Sequence, residues 1–326
     1  MNRPYISFVL VCRNDNYAGN FLYRLQAFIN VLLALGEKYK LEMELIIVEW
    51  NPPKENLKLR EALKWPKMSE NSKVRLIEVP NEIHQRLPNS DRMPIFEWIG
   101  KNVGIKRAKG EYILATNADI LFNEELIKFL SEAVLLPKYF YRVDRYDIKS
   151  PIPLNKPIEK IFKYCRENIL VHLSQFGEVR RGFNLKNISE GTKGFLSYFK
   201  KRILYFPFVP VHTVAAGDFF LTHRDNWNSL RGFPEFKLQL PVWAHVDSYF
   251  CYAALASGLR EFILKKPLRI YHQDHDHKES LQNRPPLDHK LYKKHCWEML
   301  RGKRSTIFND GKWGLGDVAL SEKVIG

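Results

Sequence analysis

The feature that most narrows the choice of fold is a succession of short apolar runs that end in polar or turn-forming residues. Tyr5–Cys12 is nearly continuous in β-favouring residues and stops at Arg13-Asn14-Asp15-Asn16. Glu44–Glu49 stops at Trp50-Asn51-Pro52-Pro53, Val74–Val79 at Pro80, and Tyr112–Ala115 begins just after Gly110. Unbroken apolar runs of this length predict strands buried on both faces. Between the first and second runs, Phe21–Leu35 repeats apolar residues every three or four positions and ends at Gly36; between the third and fourth, Phe96–Ala108 predicts another helix. Strand and helix in alternation predict right-handed βαβ crossovers. The expected fold class is α/β, with a mostly parallel central sheet flanked by helices.

Sheets of this type collect ligands at the carboxyl ends of their strands. The segments to watch are therefore Arg13–Asn16, Glu49–Asn51 and Thr116–Asp119. Asn, Asp and Pro also end strands for purely local reasons, so each segment alone is explained by turn chemistry; three such ends in one sheet favour a shared site. Basic residues outnumber acidic ones, with 51 Lys and Arg against 36 Asp and Glu. That excess suits an anionic partner or a solvated basic surface, and net charge does not choose between them. No nucleic-acid motif accompanies it, so nucleic acid is not an expected partner. Cys12, Cys165, Cys251 and Cys296 are widely spaced, which predicts reduced thiols rather than a disulfide framework or a thiolate zinc site. No run reaches the ~18 apolar residues of a membrane span, and no signal-peptide layout precedes Tyr5. The expected location is the cytoplasm, with peripheral contact at the inner membrane face as the further option.

Three segments carry candidate chemistry. Asn117 and Asp119 stand two positions apart at a strand end, where a carboxylate can hold a hard cation or cap the helix beginning near Glu124. His272-Gln-Asp-His275-Asp-His277 concentrates ligand-type side chains after a short strand, in a spacing unlike the helical zinc motifs. From 145 to 202, 13 Lys and Arg face five acids, and the stretch ends in Gly194-Phe-Leu-Ser-Tyr-Phe-Lys-Lys-Arg-Ile-Leu-Tyr-Phe206. This reads as a basic helical insertion, either solvated or set against an anionic acceptor or membrane. The expected organisation is 1–144 as a nucleotide-binding half, 145–207 as the insertion, 208–280 as a second half of the same domain, and 281–326 as a C-terminal extension. Within the last, Asn309–Asp317 reads as a docked tail.

The run Lys101-Asn-Val-Gly-Ile-Lys-Arg-Ala-Lys-Gly-Glu-Tyr-Ile-Leu-Ala-Thr-Asn-Ala-Asp119 resembles the core of family-2-type glycosyltransferases of the GT-A fold. Ala215–Glu235 resembles their acceptor-side segment, and Ala244–Gly258 the helix that carries their catalytic base. The resemblance covers about half the chain. It implies a nucleoside diphosphate sugar donor, UDP- or GDP-linked, and a glycan or lipid-linked hydroxyl acceptor. By the same resemblance Arg13, Asn14, Asp15, Glu49, Lys101, Asn102, Asn117 and Ala118 line the donor. Asp119, with His272 and His275 as the alternatives after the last strand, would hold Mn or Mg. Asp247 takes the place of the base of inverting members, with Asp218 as runner-up; a first-turn acid that steadies its own helix is the other reading of Asp247. The chain departs from the pattern at Asn117, where the family's motif has Asp, and at Val246, where it has Glu. Those departures leave open a metal-independent site, a retaining enzyme, or a protein that binds nucleotide sugars without turning them over.

Overall fold

The computed structural model describes residues 3–180, 193–196, 198–200, 203, 210–235, 245–275 and 288–325. Strand β1 (Ile6–Cys12) leads through helix α1 (Phe21–Lys38) to β2 (Met43–Trp50) and β3 (Ser72–Val79). The single-turn helices α2 (Leu59–Ala62) and α3 (Asn81–His84) flank β3, and α4 (Glu97–Arg107) delivers the chain to β4 (Tyr112–Ala115). Every residue of β1, β2 and β4 is buried, as the unbroken apolar runs predict. Side chains of β1 alternate between two layers: Phe8 and Leu10 join the core under α1, whereas Val9 and Val11 join the core under α4. Gly100 and Gly104 let α4 lie directly on β1, since a Cβ at either would collide with Val11 or Val9.

The main sheet has eight strands in the order β11-β6-β10-β4-β1-β2-β3-β13, where β6 is Tyr139–Val143, β10 Phe220–His223, β11 Arg260–Leu264 and β13 Ser321–Ile325. Strands β11, β6, β4, β1, β2 and β3 run one way, and β10 and β13 run against them. The mostly parallel sheet is thus observed, but it is not alone. A second sheet of five strands has the order β5-β12-β7-β8-β9, with β5 at Ile120–Phe122, β7 at Arg145–Ile148, β8 at Ile169–Ser174, β9 at Gly177–Arg180 and β12 at Ile270–Gln273. Only Asp144 separates β6 in the first sheet from β7 in the second.

This second sheet corrects the reading of 145–207 as a helical insertion. Its described start is strand β7, helix α6 (Ile158–Glu167) and the β8–β9 hairpin, and β7 pairs in parallel with β12 along Ile270–Gln273. Helix α5 (Glu124–Ser131) packs beside α1, and α7 (Arg224–Leu230), α8 (Val246–Ala256) and α9 (His289–Leu300) cover the α4 side. The tail is docked as expected. Strand β13 adds to β3, Arg75 bridges buried Glu44 to Glu322, and Arg107 donates to the carbonyls of Gly314, Leu315 and Val318. All four cysteines are buried and unpaired. Among the described residues no helix is long and apolar enough to cross a membrane.

Candidate active site

Asp119, His272 and His275 meet where the two sheets adjoin. Strand β5 pairs antiparallel with β12, setting His272 opposite Ile120, and Gln273 N–H donates to the Asp119 carbonyl at 3.0 Å. The Asp119 carboxylate therefore lies 3.0 Å from His275 Nε2 and 3.6 Å from His272 Nε2. One ligand atom from each of the three falls within 4.8 Å of the others. Burial alone would raise the Asp119 carboxyl, but the two imidazoles outweigh it and hold the group well below the usual carboxylate range. Burial would likewise lower His272, yet the Asp119 charge, with hydrogen bonds to Asp119 and Asp147, pushes it up to about 10.

Behind His272 stands Asp147, its Oδ1 3.2 Å from Nδ1. The register of β7 against β12 fixes this, because His272 faces Asp147 directly. A carboxylate on the far nitrogen of a histidine is the usual support of a metal-ligating imidazole. It leaves Nε2 turned toward Asp119. Asp119 Oδ1 is buried and accepts no hydrogen bond from the described residues, as a carboxylate oxygen waiting for a cation would. Two imidazoles and one carboxylate fit a divalent transition ion such as Mn better than Mg, which prefers oxygen alone. Asp276 and His277 lie outside the described residues.

The chain of ion pairs continues away from the triad. Arg145 touches Asp147 at 2.8 Å and Asp218 at 2.6 Å. Asp218 also accepts from Asn117 Nδ2 at 2.7 Å, and its carbonyl accepts from Thr116 Oγ1 at 2.8 Å. Asn117, which replaces the expected acid, thus turns to Asp218 rather than to the triad, and both carboxylate oxygens of Asp218 are engaged. Asp247 ties α8 to the same loop: Oδ2 accepts from Gly217 N–H at 2.8 Å and Oδ1 from Ser248 N–H at 2.8 Å. Burial, only partly offset by these two bonds, raises its carboxyl above the ordinary aspartate value. Arg142, fully buried, donates to the carbonyls of His212, Val214 and Ala216 and so holds the loop that presents Gly217 and Asp218.

The β1 end forms the opposite rim. Arg13 donates to the Asn51 carbonyl at 2.7 Å and pairs with Asp15 at 2.8 Å; Asn14 donates to Leu57 O. Asp15 accepts from Tyr17 N–H, and the Tyr17 ring packs edge-on against His275, 5.6 Å between centroids. That contact joins the rim to the triad. Glu49, at the end of β2, is buried and accepts from Leu59 N–H at 2.8 Å, the first residue of α2. Burial pushes its carboxyl up to about 7. Lys101 and Asn102 stand apart from the rim and the triad. Lys101 is buried with Nζ on Glu97 and the Gly217 carbonyl, and Asn102 spends its amide on Phe233 and Glu235. Lys101 thus steadies the loop at Gly217, and Asn102 the segment at Phe233–Glu235. Ala118 is buried beside Asp119.

Arg145 and Asp147 were not among the residues singled out from sequence. An Arg-x-Asp pair in a strand places both side chains on one face, but the basic character of the surrounding stretch hides that strand.

The raised Glu49 carboxyl predicts a pH effect. Between the unfolded value of 4.5 and about 7 the folded protein binds the extra proton, so this group lowers stability as pH rises through that window. Glu49→Gln keeps the acceptor for Leu59 and removes the titration. Relative to the parent, the variant should gain stability from pH 5 to pH 8, by at most about 3 kcal/mol. Urea unfolding at the two pH values measures this; an equal difference at both would contradict it.

No protein-family model matches the chain, and no curated protein sequence matches it. Among solved structures, 83% of the chain aligns with 57% of the mannosyltransferase PcManGT from Pyrobaculum calidifontis in complex with GDP-Man and Mn2+, at 12% identity and a TM-score of 0.40. The chain thus spans little more than half of that protein. It also aligns over 91% of its length with 71% of S. aureus TarS 1-349, at 16% identity and a TM-score of 0.42. Likeness at this level carries no argument about chemistry, which rests on the side chains described above.

Proposed function

We propose that the chain is a metal-dependent glycosyltransferase that uses a nucleoside diphosphate sugar. The observation that carries this reading is the Asp119–His272–His275 triad, backed by Asp147, at the carboxyl edge of a mostly parallel sheet. A divalent cation held there would supply charge neutralisation for a departing diphosphate. Arg13, Asp15 and Glu49 line the neighbouring strand ends, where the nucleoside would lie.

The acceptor hydroxyl needs a base as its oxygen bonds to the anomeric carbon. Asp247 is suited to that role: it is a carboxyl of raised proton affinity, held by two backbone N–H groups. In a single displacement the hydroxyl proton passes to Asp247, the new C–O bond forms, and the bond to the diphosphate breaks on the opposite face. This makes the reaction inverting. The acceptor is a hydroxyl of a glycan or of a lipid-linked sugar.

A thermal-shift panel of UDP-, GDP- and other nucleoside diphosphate sugars, with and without Mn, tests the reading. One donor should raise Tm, more strongly with Mn present, and should then be hydrolysed slowly in the absence of acceptor. A shift without any turnover would point to a binding protein instead. No shift with any donor would remove the proposal.

A further inference from the structure

Away from the site, the β8–β9 hairpin and the helical residues around 193–200 expose an apolar surface. Phe176, in the hairpin turn, meets Phe195 and Tyr198 at centroid distances of 5.8 and 5.0 Å, and Phe195 meets Phe199 at 4.8 Å. This aromatic cluster is partly exposed. Phe195 is 50% exposed, Leu196 62% and Ile203 75%. Phe195 and Phe199, four residues apart and in ring contact, lie on one face, and Ile203 follows at the same spacing in the sequence. On the hairpin, Leu170 and Val179 are also exposed.

Cations border this surface. Lys193, Lys200 and Arg180 are exposed, and Arg180 pairs with Glu178. From 145 to 202 the sequence has 13 basic residues against five acidic ones. Aromatic and aliphatic side chains in a stripe, edged by lysines, match the layout of a helix that lies in the interface of an anionic bilayer. A glycan would not draw on bare Ile and Leu side chains, and an ordinary solvated basic face would not present them.

We propose that this surface docks the protein onto anionic lipid. The apolar stripe enters the acyl boundary while Lys193 and Lys200 meet the headgroups. The proposal stands apart from the catalytic reading, since none of these residues belongs to the triad or its supports. It has a geometric consequence for that reading: β8 pairs with β7, which carries Arg145 and Asp147, so one sheet joins the membrane face to the site.

Co-sedimentation of the full chain with vesicles tests this. Vesicles of phosphatidylcholine with about one third phosphatidylglycerol should capture the protein, and phosphatidylcholine alone should capture about tenfold less. Raising the salt from about 0.1 to 0.5 M should release most of it by screening the lysines. The exposed-residue variant Phe195→Ser/Ile203→Ser should lose binding to both vesicle types with Tm unchanged. Lys193→Glu/Lys200→Glu should lose the preference for anionic vesicles. Absence of binding to either vesicle, equal binding to both, or undiminished binding by both variants would overturn the proposal. So would a parent protein that elutes as a dimer and becomes a monomer in Phe195→Ser/Ile203→Ser, since the stripe would then belong to a second copy.

Discussion

Asp119→Ala should lower donor turnover by about 10³-fold, equivalent to about 4 kcal/mol of transition-state stabilisation. The size follows from what the carboxylate does. It is the only acid of the triad, one of its oxygens is 3.0 Å from His275, and the other is buried without a hydrogen bond from the described residues. Removing it leaves two imidazoles that cannot by themselves hold a hard-leaning cation tightly. Asp119→Asn provides the control for folding, since it keeps shape and removes charge; it should be nearly as inactive. Asp147→Asn should cost less, about 10- to 100-fold in metal affinity, because Asp147 orients His272 rather than binding the ion. Steady-state kinetics across a Mn titration separates the two: excess Mn should rescue much of Asp147→Asn and none of Asp119→Ala. Near-normal turnover by Asp119→Ala would refute the role given to it.

Asp247→Asn should reduce sugar transfer about 10²- to 10⁴-fold while the donor Kd changes by no more than about twofold. The amide still accepts one of the two backbone hydrogen bonds that the carboxylate now takes from Gly217 and Ser248, so the loop should stay in place. What disappears is the proton acceptor. Because burial raises the Asp247 carboxyl, the parent protein should lose transfer activity on the acid side at a higher pH than an ordinary aspartate would give. That acid limb should be absent from the residual activity of Asp247→Asn. Asp218→Asn makes the comparison informative. Its carboxylate is already paired with Arg145 and Asn117, so its loss should disturb the loop and both kinetic constants rather than kcat alone. Full transfer by Asp247→Asn, with loss only in Asp218→Asn, would move the base to Asp218.

The first half of the fold was legible because its signals are local. Buried parallel strands need unbroken apolar runs, and β1, β2, β3 and β4 fall within two residues of the runs that predict them. Gly104 and Gly110, part of the run that carries the family resemblance, have a packing reason. Gly104 lets α4 touch Val9, and Gly110 lets the chain pass against the backbone of Ser7. Asp119, His272 and His275 could be named because they cluster at strand ends: Asp119 directly precedes β5, His272 lies near the end of β12, and His275 stands two residues past it. Arg145 and Asp147 could not, since their strand is short, lies on a second sheet and opens a Lys- and Arg-rich stretch. Lys101 and Asn102 show the opposite effect. Polar residues in a helix invite a ligand role, but here they are consumed by Gly217, Phe233 and Glu235, contacts more than a hundred residues away that no local pattern announces.

The central claim is that one divalent cation sits among Asp119, His272 and His275. Crystals soaked in MnCl2 and measured at a wavelength where manganese scatters anomalously test it most directly. A single strong anomalous peak is expected within bonding distance of the Asp119 carboxylate and of both Nε2 atoms, with Asp147 still on His272 Nδ1. A peak elsewhere, or none at the triad while the protein turns over its donor, would contradict it.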